Sequence, residues 1–379
     1  MANALGIYNP IFYAQEALIQ LENALGLAGR VHRGIEQERG TAGKGDVINI
    51  RRPTTFAAAD APATATDLAP DTVALTLNQW REVKFSLTDK ELTISEDRII
   101  SDHIRPAAVA LADDIDVKLA ALYKDIPWFE AAEAPIAVSD FTNVHQVLFD
   151  NKVPQNDGNI SLMLDGTMQN EALQLSAFTQ QQGAGDSGVT SQMRGSLGTK
   201  FGMEIFGNQN VQTHTKGTAS VTAVLTNGTP AAGATTVSLD AASLTGTVVP
   251  GDSFVIAGNT QRYAITNTVT AASNELVGVT FTPGLAAAPG DGASVTLTLV
   301  TGTVGLALHK NAFALAMAPL SEMGNELGAK IAVVNDPITN LALRSRLFYI
   351  GDSSKVVVAL DVLYGVKTLD SNLACRLHN

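Results

Sequence analysis

The six histidines, at positions 32, 103, 145, 214, 309 and 378, are the side chains of this 379-residue sequence best suited to hold a metal or move a proton. None falls in an HxH or HExxH pattern, and Cys375 is the only cysteine, so zinc-site spacing is absent. Gly43-Lys44-Gly45 has the lysine of a phosphate loop. It lacks the glycine at the required distance and the Ser/Thr after the lysine, and reads as a flexible loop. Gly185-Asp186-Ser187-Gly188-Val189 fails as a nucleophile elbow, because no glycine stands two positions after Ser187. Asp113, Asp114 and Asp116 have carboxylates for a cation but read better as a solvated helix face. Arg51-Arg52 could touch phosphate, although in an acidic chain carboxylates on a neighbouring subunit suit them better. Nothing assembles a nucleophile, a base and an orienting group, so no enzyme, cofactor or metal is expected.

Composition sets the frame for those residues. The chain is 45% hydrophobic and 16% charged, enough apolar mass for a large core in two or three domains. Its net charge is −12, which gives little counterion release on nucleic acid and favours loose contact over tight binding. One cysteine excludes an intrachain disulfide and fits a reducing compartment. No basic and apolar leader is visible at Met1–Leu5, and no apolar run is long enough to span a bilayer, so neither a signal peptide nor a membrane is expected.

Periodicity then places the elements. Ile11, Ala14, Leu18, Leu21, Leu25 and Ala28 recur at helical spacing, which predicts a helical arm over residues 1–39 with Gly26 and Gly29 as breaks. This stripe either docks elsewhere, on another chain, or belongs to an ordinary core helix. Residues 40–88 predict a long hairpin. One strand is Asp46–Pro53, the other Val73–Leu77, and a small-residue tip rich in Ala, Thr, Asp and Pro lies between. Such a tip should be mobile in a free subunit and ordered by a neighbour. Ala108, Leu111, Ile115, Leu119 and Leu122 form the stripe of the strongest helix, over 105–126, opened by Pro106 and stopped by Pro127. A helix near Asp140–Asn151, a buried strand Ile160–Leu164 and a helix from about Thr167 follow. Gln180–Arg194 reads as a loop.

Residues 217–302 differ from both flanks. They contain no Lys, Met, Trp, His or Cys, and Arg262 is their only basic residue. Short Thr/Val-rich runs separated by Gly, Asn and Pro predict about six strands in a small antiparallel barrel, inserted into a surface loop of its host. After it, Gly305–Leu308, Ala312–Pro319, Ile331–Val334, Ala342–Ile350 and Lys355–Leu360 read as strands of a mixed α+β domain. Leu363-Tyr364-Gly365-Val366-Lys367 stands near the end.

This order of parts resembles the major capsid proteins of tailed bacteriophages, with the Hong Kong 97-like fold. More narrowly it resembles the podovirus-type coat branch with an inserted β-barrel domain. The residues carrying the match are Pro250–Gly258, Phe201–Val211 and His309–Leu315. The resemblance covers essentially the whole chain and implies this division: N-terminal arm 1–39, extended loop 40–88, peripheral domain 89–163, axial domain 164–216 and 303–350, barrel 217–302, and C-terminal strands 351–379 returning to the peripheral domain.

The same resemblance implies hexamers and pentamers of an icosahedral virion shell around double-stranded DNA, assembled in the bacterial host cytoplasm. A portal protein and a separate scaffolding protein are expected partners, the arm being too short for a cleavable scaffold segment. The turn Gly258-Asn259-Thr260-Gln261 is shorter than in relatives that use it across two-fold contacts, so that contact must be weaker, built otherwise, or supplied by a decoration protein. Lys44, Asp46, Arg51, Arg52 and Asp60 are the expected subunit-interface residues, and Glu16 and Glu22 the expected scaffold contacts. Lys44 in the loop is also a possible donor for an intersubunit Lys–Asn crosslink, chemistry that the resembling branch lacks. Three rivals remain: a nanocompartment shell of the same fold, a secreted β-rich carbohydrate-binding or lyase-type protein, and a tail-tube or decoration protein. The inserted domain argues against the first. An aromatic content of 6% argues against the second. The third has no need of the long helix.

Overall fold

The computed structural model describes residues 10–33, 47–52, 60–61, 71–88, 103–132, 135–180, 186–322, 329–336 and 340–379. The chain forms two compact units, Met1–Asp116 with Ala314–Leu369, and Val117–Phe313 with Asp370–Asn379. Its class is α+β, with a closed six-stranded antiparallel barrel inside the second unit.

The first unit is organised by the long strand Lys355–Thr368. Its Val-rich run is buried on both faces, as a central strand requires. Leu341–Ile350 pairs antiparallel with one edge of it, and Lys330–Asp336 pairs beyond that. Gln79–Thr88 pairs antiparallel with the other edge over ten residues, from Tyr364↔Gln79 to Lys355↔Thr88. Phe313–Ala318 completes the sheet. The arm helix is Pro10–Ala24, with Pro10 at a position where its missing N–H costs nothing. It packs on the Lys330–Asp336 and Leu341–Ile350 strands of its own chain, so Ala14, Leu18 and Leu21 are buried within the subunit and need no second copy. Ile11 remains exposed, and Ile19, off the stripe, is exposed too.

In the second unit a seven-stranded sheet is covered by the helices Val138–Asp150 and Gly166–Gln174. All five residues of Ile160–Leu164 are buried, as the unbroken apolar run predicts for an interior strand. That strand runs parallel to Met203–Gly207 and antiparallel to Gly302–His309. Gln180–Arg194 is not loop throughout: Asp186–Arg194 is a helix packed on the short helix Ser176–Thr179. Arg194 in its last turn complements the helix dipole, a signal that the Gly/Gln/Ser composition obscured.

The strongest predicted helix is present as Arg105–Ala120, followed by 3-10 turns over Ala121–Asp125. Tighter winding after Ala120 rotates the following side chains, so Tyr123 is buried where helical spacing put Leu122. Within the insert, Val224–Asn227, Thr236–Asp240, Ser253–Ile256, Arg262–Ile265, Glu275–Thr282 and Ser294–Thr298 close into the barrel. The predicted strand over 263–270 divides in two, Val269–Thr270 pairing outside the barrel with Thr247–Val248. Phe254, Tyr263 and Phe281 fill the interior, their ring centroids 5.2–5.3 Å apart. A bulge sets two residues, Val277 and Gly278, against Ser238, and Gly278 takes φ +71° there without Cβ strain.

Candidate assembly surfaces

Among the described residues no three His, Cys, Asp or Glu side chains are grouped to hold a metal. His214 lies 3.2 Å from the Tyr123 hydroxyl and 3.3 Å from Asp252 Oδ1, an acid–base line in form. All three side chains are at most 4% exposed, which leaves no face for a substrate. His309 lies 2.7 Å from Asp157, whose carboxyl is held down at about 2, first by that hydrogen bond and then by Asn159. The Cys375 thiol is pushed up to about 12 by burial, so it is not a nucleophile at neutral pH.

Of the three aspartates Asp113 is exposed, as a solvated face requires, whereas Asp114 and Asp116 are not. Asp116 is 3% exposed, and its carboxylate accepts from the backbone N–H of Gly26 (2.8 Å), Leu27 (3.1 Å) and Ala28 (2.9 Å). These amides lie where the arm helix has ended and the 3-10 turn Ala28–Arg30 begins, so one side chain on the long helix caps the arm's break. Asp114 accepts from the Tyr364 hydroxyl at 2.6 Å and pairs with Arg81 at 3.1 Å. No spacing rule points to this role, because it joins residues about ninety apart in sequence.

The predicted hairpin is an antiparallel ribbon, Val47–Arg52 against Asp71–Thr76, in register Val47↔Thr76 to Arg52↔Asp71. Period-two alternation turns Ile48, Ile50 and Leu75 to one face, and Leu77, the next residue after the ribbon, joins them. There they pack with Ala314, Ala316, Ala318 and Leu369. Burial of each large side chain contributes about 1.5–3 kcal/mol, so the ribbon's base is fixed to its own unit. The opposite face stays exposed, with Val47, Asn49, Arg51, Ala74 and Thr76. Gly365 allows the crossing: a Cβ there would lie 2.3 Å from the Thr76 carbonyl oxygen and 2.8 Å from Leu75 Cδ2. The Leu363–Lys367 motif thus has its glycine where ribbon and long strand touch.

Of the expected interface residues, Arg51, Arg52 and Asp60 are exposed, and the Arg52 guanidinium donates to the Leu369 carbonyl of its own chain. Lys44, Asp46 and most of the tip lie outside the described residues. Glu16 accepts from Gln20 (3.2 Å) and Arg105 (3.4 Å), whereas Glu22 is exposed.

A surface that sequence reasoning missed is the Gln79–Thr88 strand. Among the described residues the long strand is the one that pairs with it. Trp80, 60% exposed, stands on it and donates from Nε1 to Asp361 Oδ2 at 3.1 Å. Asp361 is fully buried. Arg344 meets it twice, at 3.0 and 2.5 Å, and Arg346, at 3.3 Å, also reaches Glu82 at 2.6 Å. Four donors on one buried carboxylate satisfy its charge. Alternation in Gln79–Thr88 was visible, but the network's partners come from strands more than 260 residues away.

No family model and no curated protein matches this sequence. Solved structures do. One from Mycobacterium phage Che8 is similar over 93% of this chain and 90% of its own, at 15% identity with a TM-score of 0.51. The capsid structure of the cyanophage P-SCSP1u aligns over 92% and 86%, at 10% identity with a TM-score of 0.47. A virus-like particle from Pyrococcus furiosus aligns over 97% and 98%, at 9% identity with a TM-score of 0.44.

Proposed function

We propose that this chain, which has the Hong Kong-type capsid fold with an inserted six-stranded barrel, is the major coat subunit of a tailed-phage head. Copies join as hexamers and pentamers into an icosahedral shell around double-stranded DNA, with a scaffolding protein and a portal as partners and no catalytic step. The chain-length likeness to the Che8 structure carries the reading. Three surface features support it. The ribbon is anchored at its base and exposed on its outer face, the Gln79–Thr88 strand pairs on one edge among the described residues and has Trp80 exposed on it, and Ile11 and Ile19 are exposed on the arm. A ribbon anchored at its base and exposed on its outer face is what one copy needs to lie across another. Many modest contacts of this kind, closed into a shell, dissociate slowly although each is weak.

On this reading residues 1–39 are the arm, 40–88 the extended loop, 217–302 the inserted domain, and Lys44, Asp46, Arg51, Arg52 and Asp60 lie between subunits. Glu16 and Glu22 face the scaffold. The −12 charge keeps DNA contact loose. The test is co-expression with a scaffolding protein encoded beside it, followed by sedimentation and negative-stain microscopy. Closed shells are expected. A strictly monomeric chain that turns over a small molecule would end the proposal.

A further inference from the structure

The barrel is joined to the sheet of its unit by buried polar groups. Asp252, in the turn that opens the barrel's Ser253–Ile256 strand, accepts from the backbone N–H of Val249 (2.9 Å) and Gly217 (3.1 Å) and lies against His214. Gly251 takes φ +104°, and a Cβ there would sit 2.8 Å from His214 Cε1. Its carbonyl accepts from Arg376 Nη1 at 2.6 Å. Arg376, 1% exposed, lies with its guanidinium 5.5 Å from the Phe129 ring centre, and Arg262 of the barrel lies 4.4 Å from the same ring. Among the described residues no carboxylate forms an ion pair with Arg376. Two residues on, His378 is wedged edge-on between the rings of Phe129 (5.7 Å) and His214 (6.1 Å) and is itself buried.

We propose that this cluster is an acid-sensitive latch at the barrel's root, which stays closed while His378 is neutral and opens when His378 takes up a proton. The surroundings argue for it from every side. Arg376 and Cys375 share its strand, Glu130 lies on Phe129–Ala131, Tyr123 on the 3-10 turn, His214 on Gln212–His214, and Asp252 and Arg262 come from the barrel. A further positive charge here meets Arg376 and Arg262 with little water to screen it. Burial first, then Arg376 and His214, push His378 down to about 3 from an ordinary 6.5. In an opened root it returns toward 6.5. The folded value is depressed for a base, so the closed state is fully favoured above pH 6.5 and loses ground as pH falls toward 3. Across pH 7 to 5 the opening constant should rise about 25-fold.

Amide hydrogen exchange on the unassembled full-length chain, corrected for intrinsic rates, tests this. The Gly251 and Arg376 amides, bonded to the Ile265 and Trp128 carbonyls, report the root, and the Phe281 amide, bonded to Thr235, reports the barrel. The root is expected to open about 25-fold more often at pH 5 while the barrel amide holds, and His378→Asn is expected to flatten the response. A root response under about threefold, an equal rise at Phe281, or an unchanged slope in H378N would overturn the latch. The wild-type comparison of root and barrel decides the matter even if H378N does not fold.

Discussion

Replacing Asp116 by alanine removes the carboxylate that caps three consecutive arm amides. Each bond is charge-assisted, and an unmet buried N–H costs about 1–3 kcal/mol. Asp116 is 3% exposed, so water does not substitute for it while the arm stays in place. The three losses are not additive, because the arm can lift and let water reach part of the set. About 3–5 kcal/mol is therefore expected for D116A, and about 2 for D116N, which keeps one acceptor of the same shape. Hydrogen exchange at Gly26, Leu27 and Ala28 should accelerate before the sheet does, and the urea midpoint of the unassembled chain should fall. A D116A loss below about 1 kcal/mol, or unchanged exchange at those amides, would refute the reasoning.

Gly365→Ala should cost about 2–3 kcal/mol and displace the ribbon, because the clash at 2.3 Å is with backbone; urea unfolding and shell yield by microscopy check it. Asp361→Asn should cost about 3–5 kcal/mol in the same unfolding assay, since it leaves Arg344 and Arg346 facing a neutral group in a buried site. Asp157 sits at about 2 against an ordinary 3.8, so its contribution is full above pH 3.8 and disappears as pH falls from 3.8 to 2. In His309→Gln that acid window should shrink, measured as the pH dependence of the thermal midpoint. Arg51→Glu with Arg52→Glu should leave the subunit's circular dichroism unchanged and lower shell yield severalfold; normal yield would place the interface elsewhere.

The periodic elements were legible because burial imposes a period. The Ile160–Leu164 strand, the Arg105–Ala120 helix and the barrel's Thr/Val strands follow the pattern of their own side chains. What stayed hidden depends on partners distant in sequence. Asp116 reads as one more acid on a helix until the arm's broken end is set against it. Asp361 reads as a charge in an apolar strand until two arginines and Trp80 surround it. The cover over the arm's apolar stripe came from strands more than three hundred residues later, so sequence left another chain and its own core equally open. Tyr123 was missed because the change from α to 3-10 winding follows from packing and leaves no mark in spacing.

Cys375 lies wholly inside its sheet, with a thiol that burial keeps protonated. Oxidants that would stitch neighbouring copies together, or blot a surface with sulfenic acid, find nothing to react with while the chain is closed. A chain that has come open exposes one thiol and only one, returned to ordinary acidity. A colourless thiol reagent therefore becomes a counter of damaged subunits, each labelled at a single known position, with the intact ones silent.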